Sequence, residues 1–376
     1  EALTSAHPRW HAARLDPQLT TDSEAAMTSE SNPTAAPSAD AQTARIFAWR
    51  RGFNAMHLID LGERLGLWQA LADAPGSTPA DLAARLNLHA PYVEVWCTTA
   101  YGFELLDSDD GERLRLAPHI EETLARPSHP RYLGGYVRLG TQFATEDYRF
   151  APQAFKTGET APFQGRSEAF AQAVAQAVAG VNLLVARKIL PGLGDVAARL
   201  NAGGTLLEVG CGAGRLQLPL AKAFANARCT GIDIDPTGLA AARAAVRDAG
   251  FDGRVRIVEG DVASAFAPAS FDVVVMVEVL HEIAPAIRPG VVAACARVLR
   301  PGGWLVIVDE TYPSTLDQAR QAPYRFALQT GLEELMWGNV VPTRAEQERL
   351  LRGAGFAGTI ERSIFGEGFT LLATQR

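Results

Sequence analysis

The sequence predicts an α/β fold, in which a mostly parallel sheet carries helices on both faces and follows a smaller, mostly helical domain. Three observations lead to this prediction. Short apolar runs alternate with helical patterns from about residue 196 onward. A glycine-rich turn, residues 210–214, joins the first of these runs to a helical pattern. The last two apolar runs are separated by only a short turn, which predicts an antiparallel hairpin at the sheet.

The composition excludes several classes of protein. The 376 residues suggest about two domains, and a hydrophobic content of 47% is ample for a core. A net charge of −7 disfavours a general nucleic-acid surface, because phosphate neutralisation needs a basic face. The 4 cysteines are scattered without a C-x-x-C pair, which is typical of reduced thiols and predicts a cytoplasmic location. No apolar run reaches the ~18 residues of a membrane span, so we expect no membrane partner.

Composition and pattern divide the chain into four segments. Residues 1–41 are rich in Ala, Ser, Thr and Pro and predict a disordered tail. Residues 42–125 predict a helical domain, residues 126–195 a helical connector, and residues 196–376 the α/β domain. The connector is rich in aromatic residues, which either pack between domains or line a cavity for a ligand.

The helical domain shows the order helix, turn, helix and β-wing. Thr78 is a good N-cap, Pro79 fits the first helical turn, and Asp81 suits the positive end of the helix. A second helix is predicted over 92–106, and residues 113–116 alternate like a strand. This order predicts a winged-helix domain. DNA binding is disfavoured because the second helix carries no Arg or Lys to read bases.

Seven apolar runs are the predicted strands of the sheet, residues 205–209, 227–232, 254–259, 271–277, 304–309, 359–364 and 369–374.

The turn after the first of these strands decides the type of nucleotide site. A dinucleotide site has the pattern G-x-G-x-x-G, whereas here Gly210, Gly212 and Gly214 are followed by Arg215. Glu208 lies inside the strand end, where a carboxylate suits a cationic ligand better than a pyrophosphate. The stretch resembles the first motif, E/D-x-G-x-G-x-G, of the class I S-adenosylmethionine-dependent methyltransferases.

The resemblance extends to the loops after the second and third strands. Asp233 lies 23 positions beyond Gly210, and the resemblance implies that it accepts the ribose hydroxyls, with Ile234 beside it. For the third loop the resemblance implies that the Asp261 side chain and the Val262 backbone bind adenine. The implied cofactor is S-adenosyl-L-methionine, and the implied product is S-adenosyl-L-homocysteine.

The end of the fourth strand carries the candidate catalytic residues. In plant-type O-methyltransferases the segment L/C-H-D-W holds a histidine base, and the resemblance assigns that role to His281, with Glu282 in place of the aspartate. The family's orienting acid corresponds to Glu310, and a second one would fall within 341–343, where this sequence has no acid. Glu278 is expected to contact the cofactor or substrate.

Two other roles for His281 stay open. Many class I methyltransferases carry a histidine here that packs or supports the cofactor loop. Alternatively, His281 and Glu282, with Glu310 nearby, would hold iron or magnesium, as in relatives that methylate the carbon next to a keto group. No histidine follows His281 in the chain, and adjacent ligands alone are weak evidence, so we expect no metal.

The pairing of a winged helix with this domain resembles the small-molecule O-methyltransferases of plant and bacterial secondary metabolism. The resemblance implies a Rossmann-like seven-stranded methyltransferase sheet with a C-terminal antiparallel hairpin, and a homodimer formed through the winged helix. It implies transfer to a hydroxyl of a natural-product-like small molecule, with acceptor contacts from Tyr312, Arg325, Met336 and Trp337. Methylation at carbon or nitrogen, and a regulator that senses the cofactor, are the alternatives.

Overall fold

The structure, a computed structural model, describes residues 36–162 and 165–376. The described residues fall into two units, which divide between Phe53 and Asn54. Most of the predicted tail, residues 1–35, lies outside the described residues. Helix α1 begins at Ala39, two residues before the predicted end of that tail.

The described α-helices are α1 (Ala39–Arg64), α2 (Leu67–Asp73), α3 (Pro79–Leu86), α4 (Ala90–Gly102), α5 (Gly134–Arg138), α6 (Thr145–Thr157), α7 (Glu168–Ala177), α8 (Ala179–Leu184), α9 (Leu190–Gly192), α10 (Val196–Asn201), α11 (Gln217–Ala223), α12 (Pro236–Asp248), α13 (Val262–Ala265), α14 (Arg288–Val298), α15 (Arg325–Trp337) and α16 (Arg344–Gly353). The described strands are β1 (Leu106–Asp107), β2 (Arg115–Leu116), β3 (Thr205–Val209), β4 (Arg228–Asp233), β5 (Val255–Glu259), β6 (Phe271–Val277), β7 (Leu299–Asp309), β8 (Glu361–Phe365) and β9 (Phe369–Gln375). Short π-helical turns occupy Glu121–Ala125, Leu139–Ala144 and Val185–Ile189.

Helices α2, α3 and α4 form a small apolar core with the two-stranded wing β1–β2. The buried side chains include Leu71, Leu82 and Trp96. The predicted cap of α3 is confirmed, because Thr78 and Asp81 form a reciprocal capping box that satisfies backbone N–H groups of the first turn. The order of these elements is that of the predicted winged helix.

Two predicted helices end or break earlier than expected. Helix α4 stops at Gly102, and Glu104 adopts a left-handed conformation with φ of 59°, so Leu106 begins the wing instead of ending the helix. The helix predicted over 167–189 is interrupted at Val178, where the chain bends by 45° between Glu168–Ala177 and Ala179–Gly192. Apolar periodicity does not report such local departures from helical geometry.

The seven-stranded sheet has the order β5-β4-β3-β6-β7-β9-β8. Its first five strands in this order are parallel, and β9 runs antiparallel to both β7 and β8. The predicted fold class is therefore confirmed, including the C-terminal hairpin. Strand β7 begins at Leu299, five residues before the predicted start, because Leu299 already pairs with Phe271 of β6, before a shift of register that the apolar pattern does not show.

Apolar cores cover both faces of this sheet. One includes Leu220 of α11 and Val246 of α12 packed on the strands, and the other includes Val292 of α14 and Leu351 of α16. The order of the strands reverses between β3 and β6, so the loops after them diverge and leave a crevice at the carboxyl ends, where α/β sheets bind ligands.

Among the described residues, no individual helix has both the length and the apolarity to cross a bilayer. The bent pair Glu168–Ala177 and Ala179–Gly192 meets these criteria only when its two helices are joined, and then by length and composition alone.

Candidate functional site

The glycine turn after β3 forms one wall of the crevice. Gly210, Gly212 and Gly214 have positive φ values of 74°, 45° and 70°. A Cβ on Gly210 would lie 2.4 Å from Val279, and one on Gly214 would lie 2.8 Å from Ala242. A Cβ on Gly212 would meet nothing within 4 Å. Two of the glycines thus permit close packing of the protein, and the third faces open space beside the turn.

Glu208 lies beneath this turn in a buried position at the end of β3. Its Oε2 accepts a hydrogen bond of 2.6 Å from Gln217 of α11. Burial raises the pKa of Glu208 to about 8, against the opposing effect of the Gln217 hydrogen bond. Burial therefore favours the neutral form of this carboxyl group.

Asp233, at the end of β4, joins the first two loops. Its Oδ2 accepts from the backbone N–H of Gly212 at 2.7 Å, and its Oδ1 accepts from that of Asp235 at 2.9 Å. Burial raises the pKa of Asp233 despite these hydrogen bonds. Ile234, the next residue, is 70% exposed.

The third loop follows β5 and begins α13. Asp261 caps this short helix by accepting a hydrogen bond of 2.8 Å from the backbone of Ala263. Val262 is buried in the core beneath the loop. The exposed carboxyl of Asp261 therefore has a structural role already, at the edge of the same crevice.

Glu278 follows β6 and has two unusual features. It adopts a left-handed conformation, with φ of 55°, which is uncommon for a residue other than glycine. Its Oε1 is buried and has no hydrogen-bond partner among the described residues. Burial and the charge of Asp309 raise the pKa of Glu278 well above its ordinary value. Such strain and such an unpaired atom are characteristic of functional sites.

His281 lies three residues further on, buried between two carboxylates. Its Nδ1 is 2.8 Å from Oδ1 of Asp309, and its Nε2 is 3.7 Å from Oε2 of Glu334. Burial by itself lowers the pKa of His281, whereas the charges of Asp309 and Glu334 raise it, and the balance holds the pKa well above its ordinary value. A carboxylate on Nδ1 favours the tautomer that leaves Nε2 free to accept a proton.

The acid that contacts the imidazole differs from the predicted one. Asp309 holds Nδ1 of His281, and it also accepts backbone N–H bonds from Leu280 and Glu310. The predicted orienting acid, Glu310, instead accepts a hydrogen bond of 3.0 Å from Thr330 of α15. The difference arises because successive side chains of an extended strand point to opposite sides.

Glu282 and Glu310 remain within the electrostatic range of His281. Burial raises the pKa of Glu282 to about 8 and that of Glu310 to about 7, in both cases against the opposing effect of the charge on His281. Glu334 and Asp309 were not among the predicted site residues. Glu334 lies within an ordinary helical pattern and has no recognisable signal, whereas Asp309 directly precedes the predicted acid, Glu310.

Among the described residues, Glu278, His281 and Asp309 could together hold a metal ion. Each offers one ligand atom, and these atoms lie within 4.8 Å of one another. This set differs from the one considered in the sequence, which paired His281 with Glu282 and Glu310. The Nδ1–Oδ1 distance of 2.8 Å between His281 and Asp309 is that of a hydrogen bond, and a cation between them would have to break it.

The four predicted acceptor residues have different surroundings. Tyr312 is partly exposed and packs against Gly331 of α15, and Arg325 is exposed at the start of that helix. Met336 is buried, and so is Trp337, whose Nε1 donates to Asp147 at 2.8 Å while its ring packs edge-on against Phe170. Trp337 thus serves packing of α15 against the connector helices.

The chain resembles known methyltransferases in sequence. Residues 207–307, which extend from within β3 to within β7, match the family model described as a methyltransferase domain. The chain is 39% identical to a ubiquinone biosynthesis O-methyltransferase of Thiobacillus denitrificans over 105 residues, which are 28% of this chain and 43% of that protein. It therefore matches less than half of that relative's length. It is also 26% identical to the 3-hydroxy-5-methyl-1-naphthoate 3-O-methyltransferase of Streptomyces sahachiroi, over 77% of this chain and 82% of the relative.

The fold is similar to that of human N-acetylserotonin methyltransferase in complex with SAM, with a TM-score of 0.73 and 19% identity. The similarity covers 91% of this chain and 99% of the human one, so it includes the helical N-terminal region as well as the sheet. Residues 207–307, which contain the strands whose carboxyl ends form the crevice, therefore form a methyltransferase domain, and the fold agrees with that of the human enzyme over nine-tenths of the chain.

Proposed function

We propose that this protein transfers a methyl group from S-adenosylmethionine to a hydroxyl of a small aromatic or polyketide-like molecule, with His281 as the general base. The observation that carries the proposal is the His281–Asp309 pair at the carboxyl end of the sheet. It lies after β6, the strand that adjoins β3 and its glycine turn at the crevice.

Two observations support binding of the cofactor in the crevice. The open space at Gly212 leaves room for a ligand against the backbone, and the unpaired Oε1 of Glu278 offers an acceptor to a cationic group. When bound, S-adenosylmethionine supplies an electrophilic methyl group on a positively charged sulfur.

Under this proposal the residues that contact the cofactor are Glu208, Gly210, Gly212, Gly214, Asp233, Ile234, Asp261, Val262 and Glu278. Asp233 is the acid for the ribose hydroxyls, since each of its oxygens has one lone-pair direction left after accepting a backbone N–H.

His281 removes the proton from the acceptor hydroxyl. The Nδ1–H donates to Asp309, so Nε2 is the atom that takes the proton as the oxygen attacks the methyl carbon. The carboxylates Asp309 and Glu334 stabilise the imidazolium that forms. Glu282 and Glu310 contribute negative charge nearby, and Tyr312 and Arg325 are the candidate contacts of the acceptor.

A hydroxyl acceptor is favoured by the Streptomyces relative, which is named for transfer to the 3-oxygen of a naphthoate and is matched over most of its length. We also propose a cytoplasmic location, and its support is that all four cysteines are free and buried, as is typical of proteins in a reducing compartment.

The test is His281→Ala, with methyl transfer measured from labelled S-adenosylmethionine to 3-hydroxy-5-methyl-1-naphthoate and a panel of phenols. We expect the rate to fall by about 10²–10⁴-fold, while calorimetry shows unchanged affinity for S-adenosylhomocysteine. His281 must be neutral to accept a proton. The rate of the parent enzyme should therefore rise with pH, and the midpoint of this rise should lie above the ordinary pKa of histidine.

Other outcomes would change the proposal. Full turnover in His281→Ala would mean that proximity alone drives the reaction, and product NMR that places the methyl on carbon or nitrogen would exclude O-methylation.

We also propose that the enzyme is a homodimer that uses the N-terminal region. Helix α1 exposes several large apolar side chains, including Ile46 (62%), Phe47 (60%) and Trp49 (66%). Apolar groups grouped on one short stretch of helix are typical of protein interfaces.

A further inference from the structure

Arg288, the first residue of α14, is a fully buried arginine near the candidate base. Its Nε donates to the carbonyl of Ile283 at 2.7 Å, and its Nη1 contacts Glu346 of α16 at 3.0 Å. Its Nη2 donates to two carbonyls, that of His281 at 2.9 Å and that of Val340. A buried guanidinium is costly unless it is fully paired, so this set of contacts holds its neighbours firmly in place.

The two carbonyls on Nη2 belong to different parts of the candidate site. His281 carries the proposed base after β6. Val340 follows Asn339, whose Nδ2 donates to Oε2 of Glu334 at 2.8 Å. One nitrogen of Arg288 therefore ties the backbone of the base to the segment that orients Glu334 at the end of α15.

The separation that results is 3.7 Å between Nε2 of His281 and Oε2 of Glu334. This is too long for a good hydrogen bond but short enough for a strong effect of one charge on the other. Nε2 is also the atom that an acceptor hydroxyl has to reach. The site thus depends on keeping Glu334 close to Nε2 without closing the gap.

We propose that Arg288 is a positioning residue, which holds the His281 loop against the segment after α15 and so fixes the distance between His281 Nε2 and Glu334 Oε2. This inference deepens the proposed function and rests on it for the role of His281. Arg288 itself touches neither the cofactor loops nor the ring of His281 in the hydrogen bonds described for it.

The charged groups around His281 come from three elements. Glu278 and Glu282 lie in its own segment, Asp309 and Glu310 at the end of β7, and Glu334 on α15. Asp309 is held by backbone N–H groups of Leu280, His281 and Glu310, none of which involves Arg288.

Glu334 is the one of these carboxylates whose support, through Asn339 and Val340, leads back to Arg288. Loss of the arginine should therefore weaken the influence of Glu334 on His281 and leave that of Asp309 in place.

The test is a pH titration of His281 in the full-length protein, followed by NMR of the Cε1–H groups of ¹³C-labelled histidines. The signal of His281 is the one missing from His281→Gln. Because Glu334 favours the protonated imidazole, Glu334→Gln should lower the midpoint by about 1 pH unit. Arg288→Lys and Asn339→Ala should lower it in the same direction, and adding Arg288→Lys to Glu334→Gln should cause no further shift.

Arg254→Lys is the matched control. Arg254 also donates to backbone carbonyls, those of Phe224 and Ala227 among them, but it precedes β5 at the opposite end of the sheet. Its replacement should leave the His281 midpoint unchanged.

A parent-like midpoint in Arg288→Lys would overturn the inference, whatever Asn339→Ala shows. If Arg288→Lys does not fold, Arg288→Gln takes its place, and a parent-like midpoint in that variant overturns the inference in the same way. The proposed function fails separately: turnover that survives in His281→Gln would reject His281 as the base, whatever the titrations show.

Discussion

The imidazole of His281 shows how single residues define this site. Asp309 and Glu310 are adjacent in the chain, yet Asp309 contacts the imidazole and Glu310 contacts Thr330. The alternation of side chains along a strand separates the two acids to opposite sides. A motif that names an acid after the fifth strand cannot distinguish between them without the register of β7.

Asp233 is the residue for which we expect the largest loss of cofactor affinity. Both of its oxygens accept backbone N–H groups, and an amide would turn two donor hydrogens toward one of them. Asp233→Asn should therefore weaken binding of S-adenosylhomocysteine by roughly tenfold to a hundredfold, which corresponds to about 1.5–3 kcal/mol for hydrogen bonds to a charged group. Isothermal titration calorimetry measures this directly.

The control for this change is Asp235→Asn, two residues away. Asp235 caps α12 through Thr237, and Asn is an equally good cap, so affinity and stability should hardly change. Equal affinities for Asp233→Asn and the parent protein would show that the ribose does not lie at Asp233.

At the level of elements, the glycine turn after β3 combines two requirements. Gly210 lets the backbone pass close to Val279, and Gly212 leaves space beside the turn. Gly238 of α12 adds to this arrangement, because a Cβ there would lie 2.7 Å from the backbone of Gly212. The turn is thus held between the loop after β6 and the start of α12.

The same substitution should have different effects at Gly210 and Gly212. In Gly210→Ala the new Cβ would lie 2.4 Å from Val279 at a positive φ, so the free energy of unfolding should fall by about 1–3 kcal/mol. In Gly212→Ala the Cβ meets no protein atom, so the protein should lose less stability but bind S-adenosylhomocysteine more weakly.

Urea unfolding and calorimetry on both variants separate these effects. If Gly212→Ala binds the ligand as tightly as the parent protein does, the open space at the turn is not where the cofactor lies.

For the whole molecule, the apolar side chains of α1 predict its state of assembly. Phe47→Asp and Trp49→Asp place a charge among exposed apolar groups and should convert a dimer to monomers, because burial of an unpaired carboxylate at an interface is costly. Analytical ultracentrifugation of the full-length protein measures the mass.

The control is Gln42→Asp, which places the same charge at an exposed polar position of α1. It should leave the assembly unchanged. Dimers that persist in both aromatic variants would mean that the partner surface lies elsewhere.

The features that the sequence specified are those that depend on neighbouring residues. The alternation of apolar runs and helical patterns predicted the parallel sheet and its C-terminal hairpin, and the capping box at Thr78 formed as expected. The glycine turn and Asp233 fell at the carboxyl ends of β3 and β4, because strand, turn and helix follow one another within a few positions.

The early stop of α4 and the break at Val178 were missed, since the helical pattern of apolar residues continues through both.

Only the tertiary structure decided which groups meet at His281. The imidazole pairs with Asp309 across 28 positions, and Arg288 reaches Val340 across 52. Such contacts depend on strand order, on register and on where α15 packs, and no short pattern of residues encodes them. The local pattern therefore determined which strand ends carry the candidate residues, while the packing of distant segments determined which acid holds the base, which one faces its free nitrogen and which arginine sets the distance between them.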